Sequence, residues 1–201
     1  MTIQNVKLYK NNTYPRSVTH ALRAGGVGVI PTDTIYGVVG SALSKETVER
    51  IYKIKGRKSE KPFIILIASI SDLKLFNVEI SRDQKEWLKS VWPGLVSVVL
   101  PCKSKNFQYL HRGTNSLAFR LPKDQKLRDF LEETRPLVAP SANPEGLGPA
   151  CDIKNAEEYF GSGVDFYIDG GEMKSEPSAL IDLTKDKPKI LRGFATLPPL
   201  N

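Results

Sequence analysis

The chain has 201 residues, 40% of them hydrophobic and 25% charged, a size and balance that suit one globular domain with a core of its own. No apolar run approaches 18 residues, and the polar start MTIQNVKLYKNN lacks the apolar stretch of a signal peptide. The two cysteines (Cys102, Cys151) and two histidines (His20, His111) form neither a disulfide framework nor a metal-ligand pattern, so a reducing, cytoplasmic setting without membrane contact is expected.

The net charge of +7 is uneven. Residues 1–100 hold 15 Lys and Arg against 8 Asp and Glu, whereas residues 101–201 hold 14 of each. The stretch KIKGRKSEKP (53–62) alone carries five cations and one anion. An excess of this kind favours anionic partners without choosing among RNA, nucleotide and membrane.

In chain order, a first helix is expected from Pro15 to Ala24, with proline at its start and Gly25-Gly26 after its end. VGVI (27–30) reads as a buried strand, and the apolar, glycine-punctuated IYGVVG (35–40) follows PTDT. Ser44 is an N-cap for a helix to Lys55, which places Val48, Ile51 and Tyr52 on one face and ends at Gly56. FIILIA (63–68) has the continuous apolar character of a strand covered on both sides. Ser81 with Gln84 is a capping-box signature for a helix through Trp87.

LVSVVL (95–100) and the alternating SLAFRL (116–121) are strands, and in the second Ser116, Ala118 and Arg120 share one face. Helices near 124–133 and 153–160 precede LVAP (137–140) and FYID (166–169). SALIDL (178–183) and PKIL (188–191) complete the strands. Strands and helices intermix without strict alternation, which predicts an α/β domain with a mixed sheet. One domain is expected over 1–201, with a core of about 14–193 and a tail, FATLPPLN, at 194–201.

Four places could carry chemistry. PTDTIYG (31–37) follows a strand, where hydroxyls would point into a crevice or simply close a turn. Lys55 and Arg57 end a helix, either as a solvated basic turn or as a phosphate clamp of one point charge and one bidentate fork. No Walker-type glycine loop accompanies them. Arg120, inside a strand, needs a partner if covered: a structural salt bridge or a bound carboxylate. VAPSANPEG (138–146) offers Ser141 and Asn143 at a strand end, in a segment that ordinary turn chemistry also explains.

Taken together these segments resemble the YrdC/YciO-like family, the threonylcarbamoyl-AMP synthases. The resemblance runs in order through GGVGVIPTDTIYGVVG (25–40), IYKIKGRKSEKPFIILIA (51–68), VWPGLVSVVL (91–100), SLAFRLP (116–122), PLVAPSANPEG (136–146), YIDGGEMKSEPSALIDL (167–183) and ILRG (190–193). It implies a twisted mixed sheet with flanking helices around a large basic cavity. It also implies a nucleotidyltransferase that makes threonylcarbamoyl-AMP and pyrophosphate from L-threonine, bicarbonate and ATP. A downstream transferase would then modify the adenosine beside the anticodon of certain tRNAs.

The family's K-x-R and S-x-N pairs are matched by Lys55, Arg57, Ser141 and Asn143, which the resemblance makes catalytic. It assigns Thr32, Thr34, Arg120, Ser141 and Ser178 to threonine and bicarbonate. It assigns Lys55, Arg57, Ser116, Asn143 and Arg192 to the nucleotide. Magnesium would arrive with ATP, held by phosphates and water and not by protein side chains. KGRKSEK (55–61) is the candidate loop for closing the site.

The chain departs from the family pattern at Lys58, Cys151, Ala179 and Phe194. Two other readings are an RNA-binding module, including binding of tRNA, and a YciO-like protein with a different nucleotide-linked role. The first lacks a basic stripe interleaved with aromatics. The second is expected to lack the four-residue pattern.

Overall fold

The computed structural model describes residues 6–10, 13–57, 62–185 and 187–193. Its strands are β1 (Lys7–Tyr9), β2 (Val27–Pro31), β3 (Tyr36–Ser41), β4 (Ile64–Leu66), β5 (Val96–Pro101), β6 (Ser116–Arg120), β7 (Leu137–Val138), β8 (Phe166–Ile168), β9 (Ala179–Asp182) and β10 (Lys189–Arg192). Its α-helices are α1 (Arg16–Arg23), α2 (Lys45–Lys55), α3 (Arg82–Val91), α4 (Gln108–His111), α5 (Gln125–Thr134) and α6 (Ile153–Phe160).

All ten strands join one sheet in the order β1-β8-β2-β3-β7-β4-β6-β5-β9-β10. The pairs β1/β8, β8/β2, β4/β6 and β5/β9 are parallel, and the other five are antiparallel. The α/β fold with a mixed sheet is therefore as the sequence predicts.

The period-two alternation of strand side chains sorts the core into two layers. Val27, Val29, Val38, Ile65, Phe119 and Ile181 face one side, against α2, α3, α4 and α6. Ile30, Val39, Leu66, Leu137, Phe166 and Ile168 face the other, against Val18 and Leu22 of α1 and Leu127, Phe130 and Leu131 of α5. Among the described residues, this second layer draws on β2, β3, β4, β7 and β8 but not on β5, β6, β9 or β10. One face of the sheet is thus covered from β8 to β9, and the edge strand β10 is exposed. The other is covered by helices over one half and left open beyond β4, and the open half floors the cavity described below.

Local signals explain the helix ends. Ser44 accepts from Thr47 N at 3.2 Å, and Gly56 takes the left-handed conformation (φ 57°) that stops α2. Ser81 and Gln84 form the expected capping box. Several boundaries differ from the sequence reading, among them the expected strand 137–140, which is strand only over Leu137–Val138. Pro15 is the N-cap of α1 and not its first residue. α3 runs on past Trp87 to Val91 and stops where Pro93 forces Trp92 into extended backbone (φ −122°, ψ 139°). The apolar run 63–68 is strand only over Ile64–Leu66. β1, the 3₁₀ helix Ile70–Phe76 and α4 have no counterpart in the sequence reading. The tail 194–201 lies outside the described residues.

Candidate active site

The cavity has a volume of about 370 Å³ and opens on the uncovered half of the sheet. Ile64, Leu66, Ala118 and Leu180 supply its apolar floor, and Thr32, Thr34, Arg57, Arg120, Ser141, Asn143, Ser178 and Arg192 its polar lining. Two of the ten candidate residues are not in the lining: Lys55 and Ser116.

The turn between β2 and β3 brings the two threonines in. Thr32 N and Oγ1 both donate to the Ile35 carbonyl, at 3.2 and 2.8 Å, and Thr32 Oγ1 accepts from the amides of Thr34 and Ile35. The turn is thus closed by a threonine hydroxyl and not by the aspartate. That leaves the Asp33 carboxylate free to bond elsewhere. Its Oδ2 accepts from Lys123 N at 2.6 Å, and its Oδ1 lies 2.9 Å from Arg120 NH2.

Arg120 is 4% exposed. Its NH1 donates to Thr34 Oγ1 at 2.8 Å and its NH2 to Thr32 Oγ1 at 3.3 Å. The contact with Asp33 is a close ion pair whose geometry falls outside that of a hydrogen bond, which leaves Asp33 Oδ1 and Arg120 Nε without hydrogen-bond partners. Burial pushes the Arg120 guanidinium below its ordinary value, Asp33 opposes that shift and Arg192 adds to it. The structural ion pair foreseen as one role for Arg120 is present, and the residue still lines the cavity.

Lys55 ends α2 and is 2% exposed. Its ammonium donates to the backbone carbonyls of Ser141, at 2.5 Å, and Asn143, while its own carbonyl accepts from Glu145 N at 2.8 Å. Helix α2 therefore clasps the 141–145 turn from behind the cavity wall. Burial, then Arg57, push the Lys55 ammonium down to about 7, and Glu145 draws it partly back. Arg57 reaches the cavity itself, its guanidinium carbon 5.4 Å from the centre of the Phe63 ring.

The turn held by Lys55 presents Ser141 and Asn143. Ser141 is bridged to Gly37 of β3, so strand pairing positions it. Asn143 Nδ2 donates to the carbonyls of Pro144 and Leu147 at 3.0 and 2.7 Å, and its Oδ1 is buried without a partner. A buried donor and a buried acceptor left unmet, Arg120 Nε and Asn143 Oδ1, each cost about 1–3 kcal/mol until something pairs with them. Both residues line the same cavity.

Arg192 arrives by a bulge. Ile190 pairs with Ile181 but Arg192 with Leu180, so the ladder shifts by one and Arg192 sits over the cavity-facing Leu180. It donates to the Ser178 carbonyl at 3.1 Å, and the Ser178 hydroxyl is linked to Ser97 Oγ at 2.9 Å. Burial, then Arg57, push the Arg192 guanidinium below its ordinary value. Ser116 stands at the far end of β6, paired with Pro101 and bonded to Thr114 at 3.3 Å. It shares the face of Ala118 and Arg120 but lies beyond the lining.

The sequence reading missed four participants. Asp33 was read only with the turn 31–37, whose side-chain bonds are made by Thr32. Tyr36 clasps the β8–β9 connection, its hydroxyl donating to the Gly171 carbonyl and accepting from Gly170 N, both at 2.8 Å. Pro149 and Pro177 complete the wall. Their signal was weak: a lone acid beside threonines, and prolines in connections. Among the described residues no group of three or more His, Cys, Asp or Glu could hold a metal ion, and no helix is long and apolar enough to cross a membrane. A second, more open concavity of about 500 Å³, lined by Lys45, Glu49, Lys105, Tyr109 and Arg112 among others, contains none of the candidate residues.

Comparison with known proteins agrees with this architecture. The family model Sua5_yciO_yrdC, described as "Telomere recombination", matches residues 20–193. The chain belongs to this Sua5/YciO/YrdC family. A Pyrococcus abyssi protein named threonylcarbamoyl-AMP synthase is 35% identical over 174 residues, which are 85% of this chain and 51% of that one. The structure of P. abyssi Sua5 complexed with L-threonine superposes with a TM-score of 0.83 at 32% identity, over 93% of this chain and 56% of that chain. E. coli YciO superposes with a TM-score of 0.80 at 22% identity over 94% and 95%, a likeness of fold alone. This chain therefore spans about half the length of the Pyrococcus relative and nearly all of the YciO chain.

Proposed function

We propose that the chain is an L-threonylcarbamoyladenylate synthase. The observation that carries this reading is the convergence of Arg57, Arg120 and Arg192 with Thr32, Thr34, Ser141 and Asn143 on one cavity of about 370 Å³. Burial first, then Arg192 beside Arg120 and Arg57 beside Arg192, push the Arg120 and Arg192 guanidinium groups below their ordinary values, which an anionic ligand would relieve. The Pyrococcus relative's name, and the complex of P. abyssi Sua5 with L-threonine, support the same assignment.

In the proposed reaction the threonine amine and bicarbonate lose water to give threonine N-carboxylate. An oxygen of that carboxylate bonds to the α-phosphorus of ATP. The bond from the α-phosphorus to its bridging oxygen breaks, and pyrophosphate leaves with the electron pair. The work left to the protein is placement and charge stabilisation. Arg57 and Arg192 would meet the phosphates. Arg120, in the lining, would meet the threonine carboxylate with its guanidinium. Asn143 and Ser141, both in the lining, would place the nucleotide phosphates and the carbamate.

In this conformation Lys55 acts on the phosphates through the turn that it holds, with its ammonium occupied by two carbonyls. Magnesium would enter as part of the nucleotide substrate. Asp33, beside the cavity, is already held by Arg120 and Lys123, which leaves phosphates and water as the metal's ligands. Of the candidate closing loop 55–61, residues 58–61 lie outside the described residues. A transferase protein would consume the product in tRNA modification, in the cytoplasm.

The test is pyrophosphate release from ATP. Release should require both threonine and bicarbonate. Folded protein that releases no more with threonine than without it contradicts the reading.

A further inference from the structure

Ser97 is the one polar residue in the strand sequence LVSVVL (95–100). Its neighbour Val98 pairs with Phe119 and Ile181, in the layer packed against α2, α3, α4 and α6. Side chains alternate along a strand, so Ser97 faces the open half of the sheet, beside its β9 partner, the cavity-lining Leu180. Yet Ser97 is fully buried and lies outside the lining. It sits beneath a floor that is otherwise apolar. An apolar side chain there would need no partner, whereas a buried hydroxyl is costly without one. Among the described residues that partner is a single atom, Ser178 Oγ at 2.9 Å.

We infer that Ser97 is a positioning residue: its buried hydroxyl holds the Ser178 hydroxyl in one direction, so that what Ser178 has left to bond with is aimed at the bound substrate. The inference rests on the synthase reading and deepens it. The backbone around Ser178 is held separately. Its carbonyl accepts from Arg192 at 3.1 Å, and the next amide, that of Ala179, donates to the Leu95 carbonyl at 3.0 Å. Those bonds leave the hydroxyl itself free to turn. A serine hydroxyl has one proton and two lone pairs and rotates to suit its surroundings. Whichever of the two oxygens donates, Ser97 takes one of these three places on Ser178 and thereby orients the other two. Ser178 is the member of the pair that lines the cavity, so Ser97 acts on a ligand only through it. Without Ser97, ordering the Ser178 hydroxyl would fall on the substrate's binding energy.

The experiment measures threonine-dependent pyrophosphate release, at saturating ATP and bicarbonate. It compares the wild type with Ser97→Ala, Ser97→Thr, Ser178→Ala and the double variant of Ser97→Ala with Ser178→Ala. Ser97→Ala should lower kcat/KM for threonine about fivefold, the scale of one hydrogen bond. Ser97→Thr keeps the hydroxyl and should stay within about twofold of the wild type. Ser178→Ala should lose at least as much as Ser97→Ala. The double variant should match Ser178→Ala to within about twofold, because Ser97 then has nothing left to position. Losses that multiply in the double variant overturn the inference. So do a Ser97→Ala as fast as the wild type and a Ser97→Thr as slow as Ser97→Ala. A Ser97→Ala that does not fold makes Ser97 a structural residue and overturns it as well. A wild type that releases no more pyrophosphate with threonine than without it overturns the synthase reading, and this inference with it.

Discussion

Lys55 Nζ lies 2.5 Å from the Ser141 carbonyl oxygen and also donates to that of Asn143, so the two halves of the four-residue pattern are tied by one buried ammonium. Eighty-six residues separate the first pair in sequence. The consequence is mechanical: the end of α2 sets the position of the turn that carries Ser141 and Asn143. It is also electrostatic, since the cation is buried at 2% exposure with Arg57 close by.

That burial gives a pH signature. The folded chain releases the Lys55 proton near pH 7, whereas an unfolded lysine holds it to about 10.4. Between those values the unfolded state binds more protons, so raising the pH favours the folded state. Urea midpoints of the wild type should rise relative to Lys55→Met between pH 7 and about 10. Below pH 7 the difference should be constant. A difference that stays flat across the upper range contradicts the placement of Lys55.

Arg57→Ala should lower the rate of pyrophosphate release by about 10²-fold or more, the scale for removing one preorganised donor at a reacting phosphate. An unchanged rate would return Arg57 to a solvated basic turn at the end of a helix.

The Arg120–Asp33 pair should behave as a buried one. Arg120→Ala strands a carboxylate that is 6% exposed, and the expected loss is about 3–5 kcal/mol in urea unfolding. A loss near that of a surface pair, below about 1 kcal/mol, would contradict the burial described here.

Much of the architecture was legible in the sequence because its causes are local. Ser44, Ser81 and Gln84 satisfy backbone amides within one turn, Gly56 supplies the left-handed stop, and the apolar runs at 27–30 and 95–100 mark strands. What was not legible depends on distant partners. β1 exists because Lys7–Tyr9 finds the edge of β8, some 160 residues away. The strand order interleaves β7 between β3 and β4, which no local periodicity encodes.

The site divides in the same way. The motifs at 31–37, 55–57, 120 and 141–143 were visible, and the fold brings most of them to one cavity. Other features were not. Lys55 turned out to hold carbonyls because the helix end is buried against the turn. Arg192 faces the cavity only through the one-residue bulge in β10. Ser116 lies beyond the lining because β6 runs about 13 Å from it to Arg120, at the usual rise per strand residue. Asp33 was read as part of a turn motif and acquires its meaning only from Arg120.

The packing of β2 on β8 makes a further check. A side chain at Gly28 would overlap the Phe166 ring, which belongs to the core layer under α1 and α5. Gly28→Ala should cost about 1–3 kcal/mol as overpacking. A thermal midpoint equal to that of the wild type would contradict the strand order at β2 and β8.

The central claim, that this cavity joins threonine, bicarbonate and ATP, is tested most directly by pyrophosphate release with each substrate omitted in turn. Release should appear with all three substrates together, fall to the ATP-only background when threonine or bicarbonate is left out, and be lost in Arg57→Ala. Release at the same background rate with and without threonine, from protein shown to be folded, would contradict it.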